Sequence, residues 1–325
     1  MTNENLSYYI HCFTRLKRDM KNGGAPHKPI LLLSIISLFE KGIYTNNQIF
    51  ILPELVASFK TNWSKLVETN HFPVFAMPFY HLSSEPFWKL IPNVGCEKWV
   101  ESKSSMRSLG NLTTAIKYAL IDNELSNTLL VSENRDILKI SLLDKYFPNT
   151  KSSFGSNGND DLPSASILHE NSDEYKRKII ELKNQVDENV FQEEIFIRGG
   201  LFKREIPKIY NNTCAISGLR LTSVISNVSM VDACHIVPFS ESYDDTLTNG
   251  IALCPNLHRA FDRGLISISN DYTVLINKNF VEDKNSAFSL SQFESQKIIL
   301  PYSEELYPAL ENLYKHRNKN GFRIS

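Results

Sequence analysis

The sequence of 325 residues contains few cysteines, no strong excess of either charge and no apolar run of membrane-spanning length. Its five cysteines are odd in number and include no CxxC pair, which argues against a disulfide scaffold and against a four-cysteine zinc site. The longest apolar run, Pro29 to Phe39, has 11 residues, roughly half of what a bilayer requires. The polar N-terminal segment lacks the apolar core of a signal peptide. We therefore expect a cytoplasmic protein.

The composition is typical of folded domains, and the length predicts two of them. A net charge of −1 excludes a uniformly cationic surface. It permits a local cationic patch, because the distribution of charge, rather than its sum, attracts a polyanion. Residues 151–166 are rich in Ser, Gly, Asn and Asp and have no apolar period, which indicates a linker. We predict one domain at 1–150 and a second at 167–325.

The first half combines helical and strand-like patterns, which predicts an α+β domain. Helices are predicted at 29–39, 109–120 and 137–146. Two stretches rich in aromatic residues, 72–82 and 86–91, have prolines at their edges and predict short strands.

The second half predicts a charged helix and then a compact succession of strands and one short helix. The charged helix is expected at 174–189, within an acidic segment whose composition favours a solvated face over an oligomer contact. Apolar strands at 228–238 and 251–254 flank a polar loop. Pro255 is well placed to begin a helix. Residues 265–276 alternate around an Asn-Asp pair and predict a hairpin.

Four polar residues lie in or next to these predicted elements. His235 ends a strand before the polar loop, where a neutral imidazole can take a proton from water near pH 7. Asn249 precedes Gly250 in a turn, where its amide can bond back to the loop and hold the histidine's orientation. His258 and Asp262 lie four residues apart on one helix face, a spacing suited to a divalent ion. A base, an orienting residue and a metal suffice for phosphodiester hydrolysis.

This stretch resembles the finger of an HNH (ββα-metal) endonuclease. The matching blocks are 214–220, 231–238, 249–250 and 257–267. The resemblance implies His235 as general base, Asn249 as its orienting residue and His258 as a ligand of a divalent metal, Mg²⁺ or Mn²⁺. Asp262 stands where colicin-like nucleases carry a second helical histidine, which implies a further ligand.

One position departs from the HNH pattern. Many HNH sites carry an Asp or His ligand immediately before the base, and here that residue is Cys234. Asp232 lies on the same strand face if the strand pairing is regular, so either residue can complete the metal site. A carboxylate suits Mg²⁺ or Mn²⁺ better than a thiol does, which favours Asp232. We expect Cys214, Cys234 and Cys254 to be buried apolar residues rather than ligands.

Basic and apolar residues also cluster in the first half. His27 and Lys28 precede a predicted helix, where cationic donors and backbone N–H groups suit a phosphate. A cavity with basic edges and an apolar floor suits a phosphate in which weakly hydrated sulfur replaces one oxygen. The candidate contacts are His27, Lys28, Pro78, Phe79, Tyr80 and His81.

The first half is similar to the sulfur-binding domains of McrA-like, phosphorothioate-dependent restriction endonucleases, in which such a domain precedes an HNH domain. The matching text is 13–16, 25–33, 78–82 and 87–90. The resemblance implies that Pro78 and its neighbours contact sulfur, whereas His27 and Lys28 touch the DNA backbone or base edges. Met77 departs from it, since a tyrosine is expected there. Candidates for backbone contacts are Arg15, Lys17, Arg18, Lys21, Lys103 and Arg107.

These patterns predict a modification-dependent endonuclease that acts on double-stranded, phosphorothioate-containing DNA. Because one HNH finger cuts one strand, we expect a homodimer. Two alternatives remain. The enzyme reads a different modified base or a short unmodified sequence, or the chain is a DNA-binding module whose finger is catalytically silent.

Overall fold

The computed structural model describes residues 3–102, 105–154, 168–221, 229–283 and 288–322. The chain divides into two compact units. The first unit comprises 1–162 and 187–197, and the second unit comprises 163–186 and 198–325. Each combines helices with small antiparallel sheets, which confirms the predicted α+β class.

The first unit is built around one apolar helix. Its helices are α1 (Asn3–Thr14), α2 (His27–Glu40), α3 (Pro53–Leu66), α4 (Ala76–His81), α5 (Glu97–Val100), α6 (Leu109–Ala115), α7 (Asn123–Leu130) and α8 (Ser132–Tyr146). Helix α2 is buried on nearly all sides, as its apolar sequence requires, and contacts α3, α4, α7 and α8. The strands β1 (Gln48–Ile49), β2 (Trp88–Pro92) and β3 (Ile116–Ile121) form an antiparallel sheet in the order β1-β3-β2.

Two predictions for the first unit are wrong in part. Residues 76–81 form α4 rather than a strand, because Phe75 and Phe79, four residues apart, bury their rings together. Pro78 lies in the first turn of α4, where N–H groups have no acceptor within the helix, so the N–H that proline lacks is not needed. The helix predicted at 109–120 ends at Ala115, because Ile116–Ile121 pairs with strands on both sides. The strand near 88 and the helices at 29–39 and 137–146 are confirmed.

The second unit follows the predicted succession with shifted ends. Its helices are α9 (Ser172–Gln185), α10 (Glu188–Ile209), α11 (Phe239–Ser242), α12 (Pro255–Asp262) and α13 (Leu310–Lys319), although residues 188–197 of α10 belong to the first unit. Its strands are β4 (Asp232–His235), β5 (Gly250–Leu253), β6 (Ile266–Ile268) and β7 (Val274–Ile276). Helix α9 ends before residue 189, because the Asp187 side chain caps α10 through the N–H of Asn189. The predicted hairpin is confirmed as β6 and β7.

The division of the chain differs from the linear prediction at residues 187–197. Glu193 in this segment is buried, and its carboxylate accepts a hydrogen bond from the Phe75 N–H at 2.9 Å. A second carboxylate oxygen lies 3.5 Å from Lys60 Nζ. These contacts hold the segment in the first unit although it follows the predicted linker. Most of that linker, residues 155–166, lies outside the described residues, and so does residue 228 of the predicted strand.

In the described part of the chain, no helix combines the length and apolarity needed to cross a bilayer. Cys214 and Cys234 are buried as expected, whereas Cys254 is half-buried.

Candidate active site

The end of one strand, the start of its partner and a short helix meet in the second unit. Strands β4 and β5 pair antiparallel, with His235 opposite Gly250 and Asp232 opposite Leu253. A single residue, Cys254, separates β5 from α12, and Pro255 fills the first helical position. Helix α12 packs on both strands, so its side chains lie beside the end of β4.

Gly250 permits α10 to approach this sheet closely. A Cβ at position 250 would overlap Ile206 Cδ1 and lie 2.9 Å from Phe202 Cε2. The Phe202 ring stacks on the imidazole of His235 with centroids 3.9 Å apart and an interplanar angle of 8°. One face of His235 is therefore covered, and the ring plane is fixed.

The hydrogen-bond partner of His235 is Asp245, a residue that the sequence did not single out. His235 Nε2 lies 2.8 Å from Asp245 Oδ1, and Asp245 is buried. Because a carboxylate only accepts, Nε2 carries the proton and Nδ1 is left as the basic nitrogen. The other oxygen, Asp245 Oδ2, has no hydrogen-bond partner among the described residues.

Asn249 bonds back to the loop as predicted, but it does not orient the imidazole directly. Its Nδ2 donates to the carbonyls of Val237 and Asp244, both at 2.9 Å. Its Oδ1 accepts from the Val237 N–H at 3.0 Å. The amide thus fastens the loop that carries Asp245 to the end of β4. These bonds are the ones predicted for Asn249, whose orienting role stays a prediction and would act through the loop, with Asp245 as the direct partner of the imidazole.

The candidate metal ligands lie together beside His235. His258 Nε2 is 3.4 Å from Asp262 Oδ2, and His258 Nδ1 is 3.9 Å from Asp232 Oδ2. Cys234 Sγ lies 3.7 Å from Asp262 Oδ1. One ligand atom each from Cys234, His258 and Asp262 fits within a span of 4.8 Å. The structure thus brings both Asp232 and Cys234 to the cluster.

The chemistry of these donors fits a hard divalent cation. Burial, reinforced by Asp262, raises the pKa of the Cys234 thiol well above its usual range, so this residue remains a protonated and weak ligand. The carboxylates of Asp232 and Asp262 are each 56% exposed, and the His258 ring is 26% exposed. One imidazole nitrogen and two accessible carboxylates are suited to Mn²⁺ or Mg²⁺. Asp232 as a ligand remains a prediction.

His235, His258 and Asp262 line one cleft of about 720 Å³. Residues 214–269, which include all three, match the model of the HNH endonuclease family. This part of the chain is an HNH endonuclease domain.

Comparisons of the chain with whole proteins give weaker matches than the comparison with the HNH family model does. A solved structure of a modification-dependent restriction endonuclease, TagI, aligns with 20% identity and a TM-score of 0.27. The alignment covers 36% of this chain and 36% of that one, so the chain matches little more than a third of the enzyme's length. A comparison with curated proteins finds no match.

Outside the HNH domain, the first unit contains a second cavity, of about 570 Å³. Four of the six predicted modification contacts line it: His27, Lys28, Pro78 and His81. Phe72, Val74 and Met77 supply apolar surface, and His71 adds a third imidazole. We call this cavity the reader pocket.

Phe79 and Tyr80 do not line the reader pocket, and their predicted contact with DNA is wrong. Phe79 is fully buried and packs edge-to-face on Trp88, with ring centroids 5.2 Å apart. Tyr80 is buried and donates its hydroxyl to the Val100 carbonyl at 2.6 Å. Both residues point into the core because α4 replaces the predicted strand.

The cationic role predicted for His27 and Lys28 in the reader pocket is also corrected, whereas Lys17 and Arg18 do line the pocket. Burial lowers the pKa of His27, whose Nε2–H donates to the Phe72 carbonyl at 2.9 Å, so the ring is neutral near pH 7. Lys28 is buried and paired with Glu85 at 2.6 Å. Burial lowers its pKa, although Glu85 opposes this effect. Neither residue is a free cation.

The predicted backbone contacts differ in exposure. Arg18 is half-buried, donates to the Ala25 carbonyl at 3.1 Å and lies over the Tyr146 ring. Lys103 lies outside the described residues. The remaining candidates are exposed: Arg15, Lys17, Lys21 and Arg107.

Proposed function

We propose that this protein is a modification-dependent DNA endonuclease that hydrolyses phosphodiester bonds in its HNH domain. The observation that supports hydrolysis best is the meeting of His235, held by Asp245, with an imidazole-carboxylate cluster in one cleft. In the proposed reaction, His235 Nδ1 takes a proton from water, and the resulting hydroxide attacks phosphorus. The P–O bond to the leaving oxygen then breaks, and that oxygen gains a proton from solvent.

The residues around His235 each favour this proton transfer. The buried carboxylate of Asp245 stabilises the imidazolium that forms when Nδ1 is protonated. Phe202 keeps the ring from rotating away. A divalent metal held by His258, Asp262 and Asp232 would neutralise charge on the phosphate and on the leaving oxygen.

We propose further that the reader pocket recognises a phosphorothioate. Its walls are apolar at Phe72, Val74, Met77 and Pro78. His27 is a neutral imidazole and Lys28 is paired with Glu85, so the cationic side chains Lys17 and Arg18, which also line the pocket, supply its basic part. An ordinary phosphate oxygen is strongly hydrated and needs donors, whereas sulfur loses less on entering such surroundings. This chemistry supports sulfur as the group that is read.

A cleavage assay tests both parts of the proposal. Matched duplexes that differ only in one phosphorothioate of defined stereochemistry are incubated with the protein and Mn²⁺ or Mg²⁺. We expect cutting of the sulfur-containing duplex alone, and we expect His235→Ala to abolish cutting while DNA binding persists. Pro78→Ala should reduce the preference for sulfur, and Pro86→Ala, at an exposed position outside the pocket, should not.

Other results lead elsewhere. Equal cutting of both duplexes would retain the nuclease and refute the sulfur reader. Cutting at the wild-type rate by His235→Ala would refute the base. Failure to cut any DNA across a divalent-metal titration would favour a catalytically silent finger.

The size of the reader pocket favours one second candidate, a modified base. About 570 Å³ is more than a single sulfur atom occupies, and His71 and Phe72 offer rings to a base turned out of the duplex. The same assay with a duplex carrying 5-methylcytosine distinguishes the two readers.

We also propose that two protomers act together to cut both strands of a duplex, since one HNH centre cuts one strand. Light scattering on the DNA-bound protein measures its mass. The mass of a single protomer on DNA that is cut in both strands would contradict this.

A further inference from the structure

The HNH cleft has a second wall that the reaction above does not use. This wall comes from the C-terminal helix α13, through Asn312, Lys315, His316 and Lys319, and from Lys176 on α9. On α13 these residues recur at intervals of three and four, so they share one helix face. The sequence contained no motif that assigned this helix a role.

Helix α13 is fixed in place by its buried side chains. Arg317 donates to the Ile268 carbonyl at 2.5 Å. His316 stacks on Phe261 with ring centroids 3.8 Å apart, and its Nδ1 lies 2.8 Å from Ser267 Oγ. These contacts join α13 to β6 and to α12, the helix that carries His258. The lysines of α13 are therefore held at a set position relative to the candidate metal site.

The two lysines that α13 contributes to this wall form only weak ion pairs. Lys315 pairs with Glu311 and Lys319 with Glu241, and the lysine side chains are 44% and 53% exposed. Ion pairs at such exposure contribute little stability, so a phosphate can displace the carboxylates at small cost.

Asn312 gives an independent indication of a ligand. It is 4% exposed and lines the cleft, yet its Nδ2 finds no hydrogen-bond acceptor among the residues that the structure describes. A buried amide donor without an acceptor is unfavourable. A phosphate oxygen, which only accepts, would satisfy this donor and attract both lysines.

We infer that Asn312, Lys315 and Lys319 form a subsite for the DNA backbone. This subsite binds a phosphate of the cut strand, next to the phosphate at which the strand is cut. Lys176, which lies 3.8 Å from Asp244 Oδ2, adds positive charge at the same wall. The inference rests on the proposed function as a DNA endonuclease and adds the element that holds the cut strand.

Quantitative DNA binding tests the subsite without requiring cleavage. Lys315→Ala and Lys319→Ala are each introduced into the full chain carrying His235→Ala, and fluorescence anisotropy gives Kd for a short duplex at several salt concentrations. We expect each variant to weaken binding about three- to tenfold at low salt and to reduce the slope of log Kd against log salt by about 0.9. Lys→Arg at the same positions should restore binding.

Lys178→Ala is the matched control. Lys178 is an exposed, ion-paired lysine of the same unit that does not line the cleft, and its replacement should leave Kd and the salt slope unchanged. In the catalytically intact protein, the α13 variants should raise KM and leave kcat within about twofold.

Unchanged Kd and salt slope in both α13 variants, with normal folding by thermal unfolding, would overturn the subsite even if the wild type cuts DNA. Weaker binding in those variants would support the subsite even if no metal yields cleavage. A wild-type protein that neither binds nor cuts DNA would overturn both proposals.

Discussion

At the scale of single residues, the proposed base depends on a partner ten positions along the chain. Asp245 holds the proton on His235 Nε2, so Asp245→Asn should disturb both the tautomer and the stability of the imidazolium. We expect kcat to fall about a hundredfold or more, with DNA affinity unchanged. Single-turnover cleavage and anisotropy measure the two quantities.

Two further results separate orientation from general damage at Asp245. Nitrogen NMR of His235 should show a shift from Nε2–H toward Nδ1–H in Asp245→Asn. The same change at the exposed Asp271, in the turn between β6 and β7, should affect neither rate nor spectrum. An unchanged tautomer together with an unchanged rate would refute the positioning role.

The metal ligands can be distinguished by binding rather than by activity. We expect Asp232→Ala to weaken Mn²⁺ binding about ten- to a hundredfold, because it removes an accessible carboxylate near His258. Cys234→Ala should change the affinity no more than a few-fold, since the buried thiol stays protonated. Calorimetric titration of the DNA-free protein measures both. The reverse order of effects would assign the ligand to Cys234.

The site residues that could be predicted from the sequence are those whose positions depend only on residues close to them in the chain. His258 and Asp262 share a helix turn, and Pro255 fixes where that helix begins, so their meeting follows from spacing alone. The pairing of Asp245 with His235 depends on how a polar loop folds back. The only local signal was the Asp-Asp pair at 244–245, which is also common in solvated turns.

At the scale of elements, α13 is anchored by a histidine that must stay neutral. Burial lowers the pKa of His316 from 6.5 to about 4. The unfolded chain therefore binds this proton more readily than the folded protein does. The neutral His316 therefore contributes to the free energy of unfolding in full above pH 6.5. This contribution, at most about 3 kcal/mol, is lost as the pH falls toward 4.

His316→Gln should remove this part of the pH dependence. Denaturant unfolding at pH 7.5 and 4.5 is expected to show a smaller loss of unfolding free energy on acidification for the variant than for the wild type. An equal loss in both proteins would contradict the assignment of the titration to His316.

Element types were predictable where a continuous apolar run filled the segment, as in α2. They were not predictable where pairing with distant strands decided the outcome. Ile116–Ile121 follows a helical pattern without a break, and it becomes a strand because β1 and β2 lie on either side. The aromatic residues and the proline of 76–81 favour a strand locally. The segment is a helix, in which Phe79 packs between Phe75 and Trp88.

At the scale of the whole molecule, the first unit is discontinuous in sequence. Glu193 lies beyond the predicted linker and accepts the buried N–H of Phe75. We expect Glu193→Ala to lower the unfolding free energy by about 1–3 kcal/mol, because that N–H loses its acceptor. Glu193→Gln keeps an acceptor and should cost much less.

Chemical denaturation of the full chain measures these differences. A fragment comprising 1–150 lacks Glu193 and should unfold at lower denaturant than a fragment comprising 1–197. Equal stability of Glu193→Ala and wild type would show that Phe75 N–H finds another partner.

Because α10 lies so close to Gly250, the side chains at positions 250 and 206 compete for the same space. Any residue larger than glycine at 250 pushes against Ile206 and Phe202, and so against the ring that covers His235. Gly250→Ala should therefore behave as a loss-of-function mutation that a second-site change, Ile206→Ala, suppresses. Related sequences with a side chain at 250 should compensate with a smaller residue at 206, so the volumes at these two positions should vary inversely.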